Sequence, residues 1–309
     1  MKSNDTSLNL LLSFAYGAKN PVLNGEFFAM SKSGEANVMI DSGAFSAFGS
    51  KSKGFGHITL DNYCKYLEQF GDLAQKYVML DVIGNTDASR RNYETMVERG
   101  FSPMFVLTMY DNDFRYVNQT LKHCRHICVA GGATTKGDWL IQRYQRTLAN
   151  TNNLARIHGL AFVTFPHMLQ CGLESVDSST WTFAAQKFGR YQVFYPTAGM
   201  RQLSRDDLAR KLKAGDQKAR QVADALRITP KQLMAAEYQR GDDSLVLYFS
   251  CRSNLEMQRY CYRRGLRYFF ALGSASQLAA LQYMHRNWET ATYDGFRKYL
   301  ADFKRRCKG

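Results

Sequence analysis

The feature that most constrains this chain is the alternation of short apolar runs with amphipathic stretches through its first two-thirds. Apparent strands fall at Asn37–Ile40, Tyr77–Val82, Met104–Leu107, Ile127–Ala130, His158–Val163, Ser175–Asp177 and Gln192–Tyr195, with later candidates at Leu245–Phe249 and Tyr268–Leu272. Helical periodicity covers Thr59–Tyr77, Asp87–Arg99 and Asp138–Ala149. In the unit after Val78–Val82, Thr86 or Asp87 can cap the helix and Gly100 can end it. Repeated strand–helix units imply a parallel sheet with right-handed crossovers. About eight such strands favour a closed (β/α)8 TIM-like barrel of the α/β class over an open doubly wound sheet. Residues 1–309 are therefore expected to form one barrel-like catalytic domain.

Residues 200–243 break the rhythm with basic, helix-forming stretches and no convincing strand. Thr229-Pro230 is a helix-start signal, with threonine as cap and proline at the first helical position. A basic helical insertion is expected there. It carries ten Lys/Arg against five Asp/Glu between Arg201 and Arg240. It reads either as a nucleic-acid arm or as a long solvated hairpin.

Charge is distributed unevenly. Residues 1–198 hold 19 Lys/Arg and 16 Asp/Glu, net +3, whereas residues 199–309 hold 22 and 11, net +11. Such asymmetry is the electrostatic footprint of a polyanion partner, with a solvated basic surface as the alternative. Within Gln258–Phe270, tyrosines alternate with arginines, a pattern that suits stacking on bases beside phosphate contacts. Arg252, Arg259, Arg263, Arg264 and Arg267 are the expected nucleic-acid contacts. No run approaches the roughly 18–20 apolar residues of a bilayer span, so no membrane partner is expected. No secretory signal is visible either. Seven cysteines without framework spacing read as reduced thiols of a cytoplasm.

Three aspartates recur at one structural position, at or just beyond an apolar strand. Asp41 follows Val38-Met39-Ile40 and opens Asp41-Ser42-Gly43-Ala44-Phe45. Asp81 follows Tyr77-Val78-Met79-Leu80, and Asp177 follows Ser175-Val176. In a barrel these strand ends converge on one mouth, where active sites are built. Any one of them could instead cap its own loop; three together are harder to explain that way. Gly131-Gly132 offers close backbone approach at the same rim. No P-loop, GxGxxG, GxSxG or HExxH pattern is present.

These residues carry a resemblance. Asp41-Ser42-Gly43-Ala44-Phe45 resembles the DSGGF element of tRNA-guanine transglycosylases. The Asp81 strand, Gly131-Gly132, Ile157-His158-Gly159-Leu160 and Ser175-Val176-Asp177-Ser178 follow in that family's order. The wording is most similar to the phage and bacterial branch that modifies DNA, and the resemblance spans residues 37–183. It implies a TIM-like barrel that exchanges guanine in DNA for a 7-deazaguanine, such as 7-cyano-7-deazaguanine, through a covalent aspartyl-glycosyl intermediate. It further implies Asp177 as nucleophile and Asp41 as acid/base group. Asp81, Ser42, Gly43, Gly131, Gly132 and His158 would form the base pocket, although His158 also reads as a structural histidine. If the chain is phage-encoded, the compartment would be the host cytoplasm.

The chemistry is coherent on its own terms. Breaking an N-glycosidic bond builds positive charge at C1′, which a carboxylate stabilises or attacks. A second carboxylate must trade a proton with the purine, so the two need different protonation states. A third can accept from the guanine edge. The nucleotide must leave the stack to be reached. The tRNA enzymes carry a compact CxCxxC zinc motif, absent here. Cys251, Cys261, His285 and Cys307 are a loose set spaced far from any compact zinc pattern, so structural zinc there is the minor reading and no other metal or cofactor is expected. The alternatives are the same exchange on tRNA, or an inactive barrel that only binds nucleic acid.

Overall fold

The computed structural model of the protein describes residues 7–49, 54–108, 111–130, 137–162, 164–165, 167–229 and 244–306. The chain divides into two compact units where one was expected. Among the described residues, the first spans 7–178 with Gly265–Gly273, and the second holds 179–264 and 274–306.

The first unit is the barrel. Its strands are β1 (Leu8–Ser13), β2 (Ala36–Asp41), β3 (Lys76–Tyr77), β4 (Phe105–Leu107), β5 (His126–Val129), β6 (Arg156–Gly159), β7 (Ser175–Ser178) and, far along the chain, β10 (Arg267–Leu272). All neighbours pair in parallel, in the order β3-β2-β1-β10-β7-β6-β5-β4. The two edges then meet. Val78 bridges Met104, the Met79 amide donates to the Met104 carbonyl at 3.0 Å, and the Met104 amide donates to the Tyr77 carbonyl at 2.9 Å. Closing the ring in this way leaves no unpaired strand edge, which is the advantage of a barrel over an open sheet.

The helices between strands start where side chains can cap them. Asn20 accepts from the Leu23 amide at 2.9 Å ahead of Pro21, and Asn85 accepts from the Ala88 amide at 2.9 Å. Thr59 caps Leu60–Phe70, and Gly100, at φ 88°, follows Thr86–Glu98. Their apolar faces bury Leu23, Phe27, Tyr63, Leu67, Tyr93 and Met96 against the strands. The expected helix at 59–77 is shorter than its pattern because Gly71–Leu73 tightens into a 3-10 turn and the chain then enters β3.

β1 has no counterpart among the expected strands. Its Leu-Asn-Leu-Leu-Leu-Ser run is buried at all six positions, as a strand packed on both faces must be. Leu8, Leu10 and Leu12 alternate with Asn9, Leu11 and Ser13, and the Asn37 side chain donates to that of Asn9 at 3.0 Å.

In the second unit two further expectations are corrected. Tyr191–Tyr195 (β8) is a strand of an antiparallel hairpin with Gly199–Leu203 (β9), and belongs to no barrel. Leu245–Phe249 opens a long helix, Ser244–Tyr262. That helix is buried on most sides, so its apolar run has lost the one-sided periodicity that identifies a helix from sequence. The 200–243 region does contain a strand, β9, followed by helices Arg205–Lys213 and Gln217–Ala225, capped by Ser204 and Asp216. Residues 230–243, including the predicted proline start, lie outside the described residues. No helix among the described residues is long and apolar enough to cross a membrane.

Candidate active site

Asp41, Asp81 and Asp177 all sit at the carboxyl end of the barrel. β2 is not a sheet neighbour of β7, yet the Asp41 carboxyl feels the negative charge of Asp177. The two carboxyls therefore face one another across the barrel interior. Burial and the negative charge of Asp177 push the Asp41 carboxyl up from its ordinary value. Asp81 is pushed up to about 7, by burial first and by Asp41 second. Cys128 lies deep among all three, and burial together with these carboxylates holds its thiol well above its ordinary range.

The turn after β2 explains Asp41-Ser42-Gly43. The Gly43 amide donates to Asp41 Oδ2 at 3.0 Å, and Gly43 takes φ 81°, a left-handed backbone that glycine adopts without penalty. A Cβ there would lie 2.7 Å from Ala15 Cβ and 2.9 Å from Ser13 Oγ. Ser42 is buried, with its hydroxyl facing the Ala44 amide at 3.4 Å. The short helix that follows, Ala44–Gly49, leaves Phe45 73% and Phe48 64% exposed.

Asp81 is positioned from the helix behind it. Asn92 Nδ2 donates to the Leu80 carbonyl at 3.0 Å, and the Val82 amide donates to Ser89 Oγ at 2.8 Å. The peptide units on both sides of the aspartate are thus tied to helix Thr86–Glu98.

Asp177 is held most tightly. His158 Nε2 lies 3.2 Å from its Oδ1, and the Ala161 amide donates to the same oxygen at 2.9 Å. Ala161 adopts φ 52°, a region that costs a non-glycine residue about 1 kcal/mol or more, and this strain aims its N–H at the carboxylate. On the far side of the imidazole, Nδ1 lies 2.8 Å from Ser175 Oγ. A neutral ring that donates from Nε2 accepts at Nδ1 from the serine hydroxyl. No described residue donates to Asp177 Oδ2.

The structure therefore gathers Asp41, Ser42, Gly43, Asp81, His158 and Asp177 at one site. His158 is corrected in role. It is only 1% exposed and both ring nitrogens have partners, so it positions Asp177 and is closed to a substrate. Gly131 and Gly132 lie outside the described residues. Ser175 and Ala161 were missed. Ser175 was detectable, because a residue two before Asp177 shares its face of the strand. An alanine with positive φ leaves no mark in a sequence. A neighbouring cavity of about 460 Å³, lined by Phe14, Lys19, His57, Lys65, Tyr66 and Phe70 among others, includes none of the aspartates.

Two of the five arginines are corrected. Arg252 and Arg259 both stack on Trp288, at 3.3 and 3.6 Å from its ring centre, and Arg252 also donates to the Trp288 carbonyl. Burial draws the Arg252 guanidinium down to about 10. These two arginines pack the second unit. Arg267 begins β10, at the amino end of the strands, and faces Glu174 at 3.9 Å. Arg264 stacks on Tyr260 at 3.5 Å and donates to its carbonyl. Arg263 is exposed. Of the five, Arg263, Arg264 and Arg267 are exposed, and Arg267 faces Glu174.

No family model matches the chain, and no curated protein matches it. Among solved structures, a putative fructose-1,6-biphosphate aldolase from Coccidioides immitis is similar at a TM-score of 0.31 and 9% identity, over 97% of this chain and 86% of that one. A likeness that low carries no argument about site or chemistry. The barrel assignment rests on the strand order and the closed seam.

Proposed function

We propose that the barrel exchanges guanine in DNA for a 7-deazaguanine, with Asp177 as nucleophile and Asp41 as acid/base group. The observation that carries this reading is the pairing of two interior carboxylates, one of which is pushed towards its protonated form by burial first and by the charge of the other second. That split is what a glycosyl transfer with a nucleophile and a separate proton donor requires.

In the first half-reaction an Asp177 oxygen attacks C1′ of the target nucleotide. The C1′–N9 bond breaks, and the Asp41 carboxyl gives its proton to the departing guanine. In the second half-reaction the incoming 7-deazaguanine yields its N9 proton to Asp41, its N9 attacks C1′, and the Asp177 ester bond breaks. His158 and the Ala161 amide keep Oδ1 fixed throughout, which leaves Oδ2 to react. Asp81 in its ionised form accepts from the guanine N1–H and amino group. Phe45 and Phe48 offer aromatic faces to bases, and exposed arginines such as Arg263 and Arg264 supply phosphate contacts. DNA is chosen over tRNA because the motif wording is most similar to the DNA-modifying branch.

The test is base exchange with purified protein, 7-cyano-7-deazaguanine and either duplex DNA or tRNA, read by mass spectrometry of the digested nucleosides. A modified deoxynucleoside is expected. A modified ribonucleoside keeps the chemistry and moves it to RNA. The variant Asp177→Ala should lose the covalent DNA adduct and at least about a thousandfold in exchange, with DNA affinity nearly unchanged. Adduct persisting in that variant removes Asp177 as nucleophile, and no exchange on either polymer favours a binding-only barrel.

A further inference from the structure

A cavity of about 460 Å³ opens where the chain leaves β1, between the start of helix Pro21–Lys32 and one face of helix Leu60–Phe70. Asn62, Lys65, Tyr66, Gln69 and Phe70 line it from the second helix, at the three- and four-residue spacing of a single face. Lys19, His57 and Phe14 continue the wall, and no aspartate or glutamate is among the described lining residues. Lys19 donates to the Gly54 carbonyl, and its ammonium stands 5.6 Å from the centre of the Phe55 ring. Lys65 is exposed, and its side chain has no ion pair or hydrogen bond among the described residues. Burial and the Lys19 charge together draw the His57 imidazole below its ordinary value. Two lysines thus border one space with no carboxylate in its wall to answer them.

A buried amide lines the same space. Asn24 is only 8% exposed. The Tyr66 hydroxyl donates to its Oδ1, which leaves the Nδ2 donors without a partner among the described residues. Gly17 makes this pair possible, because a Cβ there would stand 2.8 Å from the Tyr66 oxygen and 3.2 Å from Asn24 Oδ1. A buried donor left unpaired costs about 1–3 kcal/mol, so an unpaired amide in a cavity wall is a group kept for a ligand. The rest of the wall is largely aromatic. The ring centres of Phe14 and Tyr66 lie 5.2 Å apart, and those of Tyr66 and Phe70 lie 4.9 Å apart.

We propose that this cavity binds a nucleotide, with a phosphate monoester held by Lys19, Lys65 and the Asn24 amide and a planar ring against Phe14, Tyr66 and Phe70. A phosphate offers negative charge and acceptor oxygens, which ammonium groups and an amide N–H satisfy. Aromatic side chains stack on any base, because every base has a flat face. The volume lies within the roughly 300–1,000 Å³ of small-molecule sites. Side chains hold the phosphate here, so the sequence needs no glycine-rich loop for it. The site is independent of base exchange, since none of the three aspartates lines it.

The experiment is isothermal titration calorimetry of the full chain at low salt with AMP, adenosine and inorganic phosphate. AMP should bind at least about tenfold tighter than adenosine, which lacks the charge, and tighter than phosphate, which lacks the ring. Lys19→Gln and Lys65→Gln should each weaken AMP about three- to fivefold. Arg263→Gln, which removes an exposed charge from the other unit, should leave AMP binding unchanged. A nucleotide within a strand presents the same chemistry, so a short oligothymidylate is the second probe. Competition with AMP assigns the site to strand nucleotides, and its absence assigns it to free ones. No AMP binding, or AMP no tighter than adenosine or phosphate, overturns the site. Equal weakening by Arg263→Gln also overturns it, because the attraction would then be to net charge alone.

Discussion

The two ends of this barrel use carboxylates in opposite ways. At the carboxyl end, Asp41, Asp81 and Asp177 are gathered together, and burial and mutual repulsion push Asp41 and Asp81 up. At the amino end, Glu174 faces His126, Arg156 and Arg267, and its carboxyl is held below its ordinary value, chiefly by the His126 ring 3.1 Å away. One end concentrates like charge at a cost in stability; the other neutralises it. In TIM barrels generally, chemistry sits at the carboxyl end and stability at the other.

The sharpest way to break the comparison is at the turn that forms the costly end. Gly43→Ala would place a methyl group 2.7 Å from Ala15 Cβ on a left-handed backbone. The overlap with packed atoms and the backbone penalty together should cost about 2–4 kcal/mol, read as a fall in the urea midpoint with unchanged slope. An unaltered midpoint would mean that the turn gives way freely, and that the position of Asp41 is not set by it.

Next come the carboxylates themselves, whose effects should have opposite signs. Asp81 has a folded pKa raised to about 7, so the folded state holds a proton that the unfolded state releases near its ordinary value. Stability should therefore fall as pH rises towards 7 and stay low above it. Asp81→Asn should stabilise the fold by on the order of 2–4 kcal/mol at pH 8 and by little at pH 4, while abolishing guanine recognition. Glu174 is the reverse case. Its lowered pKa contributes stability above the ordinary glutamate value that is lost as pH falls through the folded one. Glu174→Gln should cost about 1 kcal/mol at pH 8 and progressively less in acid. Denaturation of both variants across pH 4–8 checks the pair, and curves of the same sign would dissolve the contrast. For catalysis, exchange should strengthen from pH 6 to 8 as Asp81 ionises.

Much of this site was legible because strand ends in a barrel converge, so three aspartates after three apolar runs had to approach one another. Asp41-Ser42-Gly43 was legible for a second reason, since only glycine suits the turn. What stayed hidden depends on contacts distant in sequence. β1 was hidden because a short continuous apolar run carries no period. The run at Leu245–Phe249 misled for the same reason, as a helix buried on most sides presents no polar face. The arginines misled differently. Arg252 and Arg259 share a seven-residue spacing that puts both on one helix face, where Trp288, some thirty residues further on, occupies them. Composition counts such residues as free charge, and only the fold shows that they are spent on packing.

The smallest effect tests which end of the barrel meets a polyanion. Arg267 lies with Glu174 at the amino end, so its charge is largely answered within the protein. Its side chain is 46% exposed and its separation from Glu174 is 3.9 Å, the geometry of an ion pair worth little to stability. Arg267→Gln should therefore change folding stability by no more than about 0.5 kcal/mol and leave the slope of DNA affinity against salt unaltered. Arg263→Gln, which removes an exposed charge, should lower that slope by about one. If Arg267→Gln lowers the slope as much as Arg263→Gln does, Glu174 leaves the Arg267 charge open to phosphate, and the amino end is not the neutralised end of the comparison.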